Sequence, residues 1–196
     1  MTPGFDDAAI VLLAGGMATR FPGKLAQPID GEPMLQRVYR NARATGLPVY
    51  VAGSVQFGPA GAARPDAPIL ADRWPGGGPL RALFSACQSI AYARVFALAA
   101  DEPQVGPALI RRLVAAWRAG DEAVVPVHGK RIEPLAALYV RNAVLRETGA
   151  LLADGNESMR ALLNAIQARL VTVSPSHFAN VNTPGDFRRV TRGAAR

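Results

Sequence analysis

A short apolar run that stops on paired glycines and is followed by two cations constrains this chain more than any other feature. In Ile10-Val-Leu-Leu-Ala-Gly-Gly-Met-Ala-Thr-Arg-Phe-Pro-Gly-Lys24 the first four residues are branched aliphatics, and glycine bounds them. A run that short and that apolar has the pattern of a strand buried on both faces. Gly15 and Gly16 carry no Cβ, so their N–H groups can approach an anion closely. Arg20 and Lys24 add fixed positive charge to the same loop. Downstream, Pro33 opens a helix whose apolar stripe is Met34, Leu35, Val38, Tyr39 and Ala42. Gly46 closes it, and Pro48–Ala52 reads as a second strand. Strand, loop, helix and strand in that order need a crossover connection, and the natural product is a parallel sheet.

The alternation continues along the chain. Residues 53–67 read as a long surface connection, and Ala67–Ala71 as a short third strand ended by Asp72. A second glycine-rich loop, Trp74-Pro-Gly-Gly-Gly-Pro-Leu80, leads into a helix through about Ser89. Arg94–Ala99 is a buried strand followed at once by Asp101-Glu-Pro103. Gly106-Pro107 starts a helix with the stripe Leu109, Ile110, Leu113, Val114 and Trp117, and Gly120 stops it. Ala123–Val127 and Leu135–Val140 read as strands joined by a loop from His128 to Pro134, with Asn142 as the cap of a helix through Ala153. Ser158 is placed to cap another helix, Leu170–Val173 is a late strand, and a final short helix follows Pro184. The expectation is one domain over residues 1–196, core about 8–191, built as a three-layer α/β/α sandwich on a mostly parallel sheet.

Composition narrows the class. Apolar residues make up 49% of the chain, enough for a substantial core and too many for disorder. No apolar run approaches the ~20 residues that span a membrane, and residues 1–9 lack a basic start. The single cysteine, Cys87, excludes an internal disulfide and fits a reducing, cytoplasmic setting; its small, apolar surroundings read as a buried inert thiol. A net charge of +7 implies attraction to anions. The arginines are scattered, without a basic block or interleaved aromatics, which disfavours a nucleic-acid binder.

Ligands of open α/β sheets bind at the carboxyl ends of the strands. Four features fall there: the Gly15-Gly16 loop, Asp72 with Gly76–Gly78, Asp101, and His128 through Glu133. A carboxylate directly after a buried strand and near a phosphate loop, as Asp101 is, suits Mg²⁺ held against phosphate oxygens. Its ordinary alternative is a cap for the next helix. The P-loop pattern fails, because six residues separate Gly16 from Gly23, Leu25 stands where a hydroxyl is needed, and Pro28 follows. The dinucleotide fingerprint Gly-x-Gly-x-x-Gly is not met either. His128, beside Lys130 and Arg131, reads as a surface-loop residue or a contact to a substrate phosphate; His177 reads as structural. No zinc-ligand spacing and no Gly-x-Ser-x-Gly elbow occur.

Leu13-Ala-Gly-Gly16 with Arg20, Gly23 and Lys24 resembles the signature loop of the nucleotidyltransferases that activate sugars and cofactors. Asp30-Gly-Glu-Pro-Met-Leu35, Gly78-Pro-Leu-Arg-Ala82, Asp101-x-Pro103 and Asn180-Val-Asn-Thr-Pro184 are most similar to one branch, the molybdenum cofactor guanylyltransferases. The resemblance spans residues 10 to about 190 and implies a Rossmann-like fold, a cytoplasmic enzyme, and transfer of GMP from GTP to molybdopterin with release of pyrophosphate. It also implies Mg²⁺ as cofactor and proteins that deliver or receive molybdopterin as possible partners. Carried over, Leu13, Ala14, Gly15, Gly16, Lys24, Asp72, Gly78, Pro79, Leu80 and Asp101 would bind the nucleotide. Arg20, Lys24 and Asp101 would be catalytic, with Asp101 on the metal; Asn180 and Asn182 would lie on the acceptor side or near the metal.

Some positions depart from that pattern. Gly23 abuts Lys24 where the family has a longer junction, Ala52-Gly53-Ser54 stands where an Asn often helps hold the base, and Arg81 brings bulk to the base side. The alternatives are a related transferase using CTP or another phosphorylated acceptor, such as a sugar phosphate or phospholactate. From a different class, the alternative is a non-catalytic basic nucleic-acid-binding protein.

Overall fold

The computed structural model describes residues 6–14, 23–53, 57, 61, 63–71, 73–74, 77–178, 181, 183 and 185–188. The elements in order are β1 (Ala8–Leu13), a 3-10 turn (Lys24–Ala26), β2 (Pro28–Ile29), β3 (Glu32–Pro33), α1 (Met34–Arg43), β4 (Val49–Ala52) and β5 (Ile69–Leu70). There follow α2 (Gly78–Ser89), β6 (Arg94–Ala99), α3 (Pro107–Ala116), β7 (Ala123–His128), β8 (Arg131–Ile132), β9 (Ala136–Val140), α4 (Arg141–Ala153), α5 (Met159–Ala165), β10 (Ala168–Thr172) and a 3-10 turn (Pro175–His177). The central sheet runs β10-β7-β9-β6-β1-β4-β5, with β8 paired to β7 outside that path. It is mixed: β1 is parallel to β4 and β6, β4 to β5 and β10 to β7, whereas β9 runs antiparallel to both β6 and β7.

Alternation along β1 sorts the core into two layers. Ile10 and Leu12 face α1 and α3, packing with Val38, Leu109 and Leu113. Val11 and Leu13 face α2, α4 and α5, packing with Leu83, Val144 and Leu162. A strand buried on both faces explains why β1 is apolar at every position. Full burial of each such side chain contributes ~2 kcal/mol. Helices therefore cover both faces, as the strand–helix alternation predicts.

Three local expectations need correction. Asn142 does not cap α4: β9 runs straight into the helix, the N-cap is the extended Val140, and Asn142 lies inside the first turn. Two anchors on Arg141 hold this junction, its N–H donating to the Ala93 carbonyl at 2.9 Å and its Nε to the Cys87 carbonyl at 2.6 Å. Trp117 is not the last rung of α3, because its backbone is extended and the helix stops at Ala116. Its ring still packs against the core beside Leu109 and Leu113, and also meets the Arg94 guanidinium, 5.3 Å from the ring centroid. His128 is not a surface-loop residue: it ends β7, pairs with Arg131 of β8, and its side chain is 13% exposed. By contrast Ser158 caps α5 as read, its Oγ accepting from the N–H groups of Arg160 at 3.1 Å and Ala161 at 3.4 Å. Cys87 is fully buried and its thiol is pushed up to about 12 by burial.

Candidate active site

The sheet order fixes where a crevice opens. From β1 the chain goes to β4 and β5 on one side, then returns to β6 on the other side of β1. That reversal is a topological switch point, and the loops after β1 and β6 leave it at the carboxyl edge. Backbone bonds stitch this edge together. The Ala100 N–H donates to the Leu13 carbonyl at 3.2 Å, and the Ala14 N–H to the Ala52 carbonyl at 2.8 Å.

Asp101 leaves the edge one residue later. It is not a helix cap, since α3 begins beyond Gly106. Its carboxylate Oδ2 instead accepts from Lys24 Nζ, and both side chains are 16% exposed. Lys24 reaches it because Gly23, left-handed at φ 68°, turns the chain into the 3-10 turn of Lys24–Ala26. Leu25 then packs against the main core and against a small cluster of Ile29, Met34 and Val181. The β2–β3 hairpin beneath is closed by Asp30 and Gly31 at φ 52° and 82°, the backbone that Asp-Gly hairpin turns require. Asn41 of α1 holds the loop after Asp101 from below, its Nδ2 donating to the Pro103 carbonyl at 3.1 Å.

The late segment closes the site from the other end of the chain. The Val181 N–H donates to the Asp101 carbonyl at 3.1 Å, while its side chain is wholly buried on Ile29 and Met34. Thr183 and Asp186 cap the helical residues 185–188 reciprocally. Thr183 Oγ1 accepts from the Asp186 N–H at 3.1 Å, and Asp186 Oδ2 accepts from the Thr183 N–H at 3.0 Å. The Thr-x-x-Asp spacing is a sequence signal for this cap that the reading of the motif passed over.

The other expected site residues divide. Leu13 and Leu80 send their side chains into the core, at 7% and 0% exposure, and Ala14 is buried. Gly78 and Pro79 are exposed at the start of α2. Gly15, Gly16, Arg20, Asp72, Asn180 and Asn182 lie outside the described residues. Lys24 and Asp101, 77 positions apart, are the expected pair that the fold brings into contact.

Two further pairs stand on the same edge; the sequence placed His128, Glu133 and Arg81 there but not their contacts. Arg81 Nη2 donates to Glu157 Oε1 at 2.7 Å, tying α2 to the α4–α5 connection. That hydrogen bond holds the Glu157 carboxyl below its usual range. Arg81 folds back closely over Gly77, so a Cβ there would displace its side chain. His128 Nε2 and Glu133 Oε1 lie 2.8 Å apart. Nothing in the spacing of either pair marked it.

Comparison with known proteins agrees with this geometry. Residues 10–171 match the MobA-like NTP transferase domain family. A relative from Deinococcus radiodurans, named "Probable molybdenum cofactor guanylyltransferase", is 33% identical over 183 residues, covering 92% of each chain. The crystal structure of molybdopterin-guanine dinucleotide biosynthesis protein A from Archaeoglobus fulgidus superposes with a TM-score of 0.78 at 21% identity, covering 95% of this chain and 98% of that one. The solved structure of CMP:2-keto-3-deoxy-manno-octonic acid synthetase complexed with CTP gives 0.79 at 19% identity, covering 96% and 98%. With its topological switch point at β1/β6 and this match over most of its length, the chain belongs to the MobA-like NTP transferase domain family.

Proposed function

We propose that this nucleotidyltransferase moves GMP from GTP to the phosphate of molybdopterin, in a Mg²⁺-dependent reaction of the cytoplasm. The observation that carries the reading is the Lys24–Asp101 contact at the switch point, one phosphate-binding cation and one metal-binding carboxylate side by side. The Deinococcus relative's name supplies the base and the acceptor. Asp101 fits Mg²⁺ by its chemistry: that ion is commonly held by one or two carboxylates together with substrate phosphates and water. Among the described residues no three His, Cys, Asp or Glu side chains cluster, so the remaining ligands would come from the triphosphate and water. Bound there, Mg²⁺ would neutralise triphosphate charge.

An oxygen of the acceptor phosphate attacks the α-phosphorus; the bond from that phosphorus to the bridging oxygen breaks, and pyrophosphate leaves. No protein nucleophile is needed, so the chain's work is positioning and charge neutralisation. Lys24 exchanges Asp101 for phosphate oxygens. By the family resemblance Arg20 and the Gly15 and Gly16 N–H groups would add positive potential around the triphosphate. By the same resemblance Asp72, Gly78 and Pro79 would border the nucleoside, and Asn180 and Asn182 the acceptor or the metal, where proteins that deliver or receive molybdopterin would dock.

Incubation with Mg²⁺, molybdopterin and GTP, CTP or ATP, followed by assay of pyrophosphate and dinucleotide, tests this. Product with GTP is expected. Product with CTP alone would move the chain towards the CTP-using neighbours, and no product with any nucleotide would remove molybdopterin as the acceptor.

A further inference from the structure

A second cluster of polar side chains stands on the carboxyl edge, apart from Lys24 and Asp101. His128 ends β7, and Glu133 lies between β8 and β9. Their side chains are 13% and 16% exposed. A carboxylate only accepts, so His128 Nε2 donates to Glu133 Oε1 across 2.8 Å. Arg131 Nε lies 3.4 Å from the same oxygen. The imidazole is stacked on Phe178, with centroids 4.8 Å apart and planes at 15°. Among the described residues Glu133 Oε2 has no hydrogen-bond partner, so one side of this oriented carboxylate is open to a ligand.

The cluster belongs to the same crevice. Leu135, two residues after Glu133, accepts the Ala99 N–H at 2.7 Å, and Phe178 lies three residues before Val181, which is bonded to Asp101. At this end β7 pairs with β8, Val127 with Ile132 and His128 with Arg131, and the Glu133 N–H donates to the Pro126 carbonyl at 3.0 Å. A carboxylate such as Glu133 would repel the phosphate of an acceptor. A partner suited to Glu133 is therefore an uncharged part of the acceptor that presents N–H donors.

We infer that Glu133, oriented by His128 and Phe178, binds the ring system of the acceptor by accepting N–H donors from a 2-amino-4-oxopyrimidine edge, as in a pterin. Adjacent ring and amino N–H groups on such an edge match the two oxygens of a carboxylate, as an arginine fork does. Oε1, already bonded to His128, keeps capacity for another donor, and Oε2 supplies the second acceptor. His128 and Phe178 are positioning residues, the first fixing the carboxylate plane and the second fixing the imidazole. This inference rests on the molybdopterin reading. Guanine carries the same edge, but Glu133 lies on the β7 side of β6, whereas Gly78 and Pro79 lie beyond β1, on the β5 side.

The test titrates pterin and lumazine, which has oxygen in place of the 2-amino group, against the protein saturated with Mg²⁺ and a non-hydrolysable GTP analogue near neutral pH. Ring fluorescence reports binding. The wild type should prefer pterin by on the order of tenfold or more. Glu133→Gln should bring the ratio close to one without changing affinity for the GTP analogue. His128→Ala should lower the ratio and His128→Gln, which retains a donor to Glu133, should restore it. Equal affinity for both rings, binding of neither, or an unchanged ratio in Glu133→Gln overturns the inference. An equal loss of GTP-analogue affinity in that variant would assign Glu133 to guanine and overturn it too. Wild-type GMP transfer with an unchanged KM for molybdopterin in Glu133→Gln defeats this inference alone; absence of transfer in the wild type defeats the reading beneath it.

Discussion

The two edges of the sheet use ion pairs differently. At the amino edge, Asp121 accepts from Arg169 through both oxygens, at 2.7 and 2.9 Å, and from the Arg118 N–H at 2.8 Å. Glu122 beside it also uses both oxygens, taking the Gln167 N–H at 3.0 Å and Arg146 Nη2 at 2.8 Å. At the carboxyl edge Asp101, Glu133 and Glu157 each accept through one oxygen among the described residues. A carboxylate with both oxygens engaged is a fastener, since any new partner must displace an old one. A carboxylate with one oxygen open is already oriented and can take a ligand without leaving its first partner. These three carboxylates, on the edge that topology marks for ligands, keep acceptor capacity.

Substitutions can break this contrast. Asp101→Asn should have the largest effect, lowering kcat/KM on the order of 10³-fold while circular dichroism and the melting midpoint stay near wild type. Full activity in that variant would end its assignment to the reaction. Lys24→Ala removes one charge-assisted contact and should weaken nucleotide binding by about 1.5–3 kcal/mol, read by calorimetry; unchanged affinity would place the triphosphate elsewhere. Asp121→Asn should leave turnover alone and lower stability by about 1 kcal/mol in urea unfolding at neutral pH. Hydrogen bonds from Arg169 hold the Asp121 carboxyl below its ordinary value. The folded pKa is thus the lower one, so this stabilisation is complete above an unfolded pKa of about 3.9 and is lost as pH falls through the folded value. Wild type and variant should therefore converge in acid, and a gap that persisted there would show the loss is not electrostatic. The smallest effect concerns Cys87, which should resist alkylation at pH 8 in the native protein and react promptly in urea.

How much of this was legible in the sequence follows from how local each cause is. The strands β1 and β6 and the helix α1 were readable because apolar period and glycine or proline stops lie within each segment. Ser158 was readable because a cap reaches only two or three residues. Asn142 misled for the complementary reason: cap propensity is local, whereas the start of α4 is set by Arg141 holding Ala93 and Cys87, which belong to other elements. Trp117 fits the apolar stripe of α3 but leaves the helix for Arg94, a partner supplied by β6. The place of Asp101 followed from strand order, yet its contact with Lys24 joins residues 77 apart and needed the fold. The His128–Glu133 pair spans five residues. Only the β7–β8 hairpin turns the two side chains together, and no periodicity signals that.

Val181 carries a consequence for how the protein comes into being. Its side chain completes the cluster with Ile29 and Met34, and its N–H holds the carbonyl of Asp101. Residues from the first and last fifths of the chain must therefore meet before the Asp101 loop is fixed. During synthesis every strand of the central sheet emerges before residue 181 does. A nascent chain can build its sheet on the ribosome and still lack a finished site, so activity should begin only when the last fragment of sequence has been made and docked.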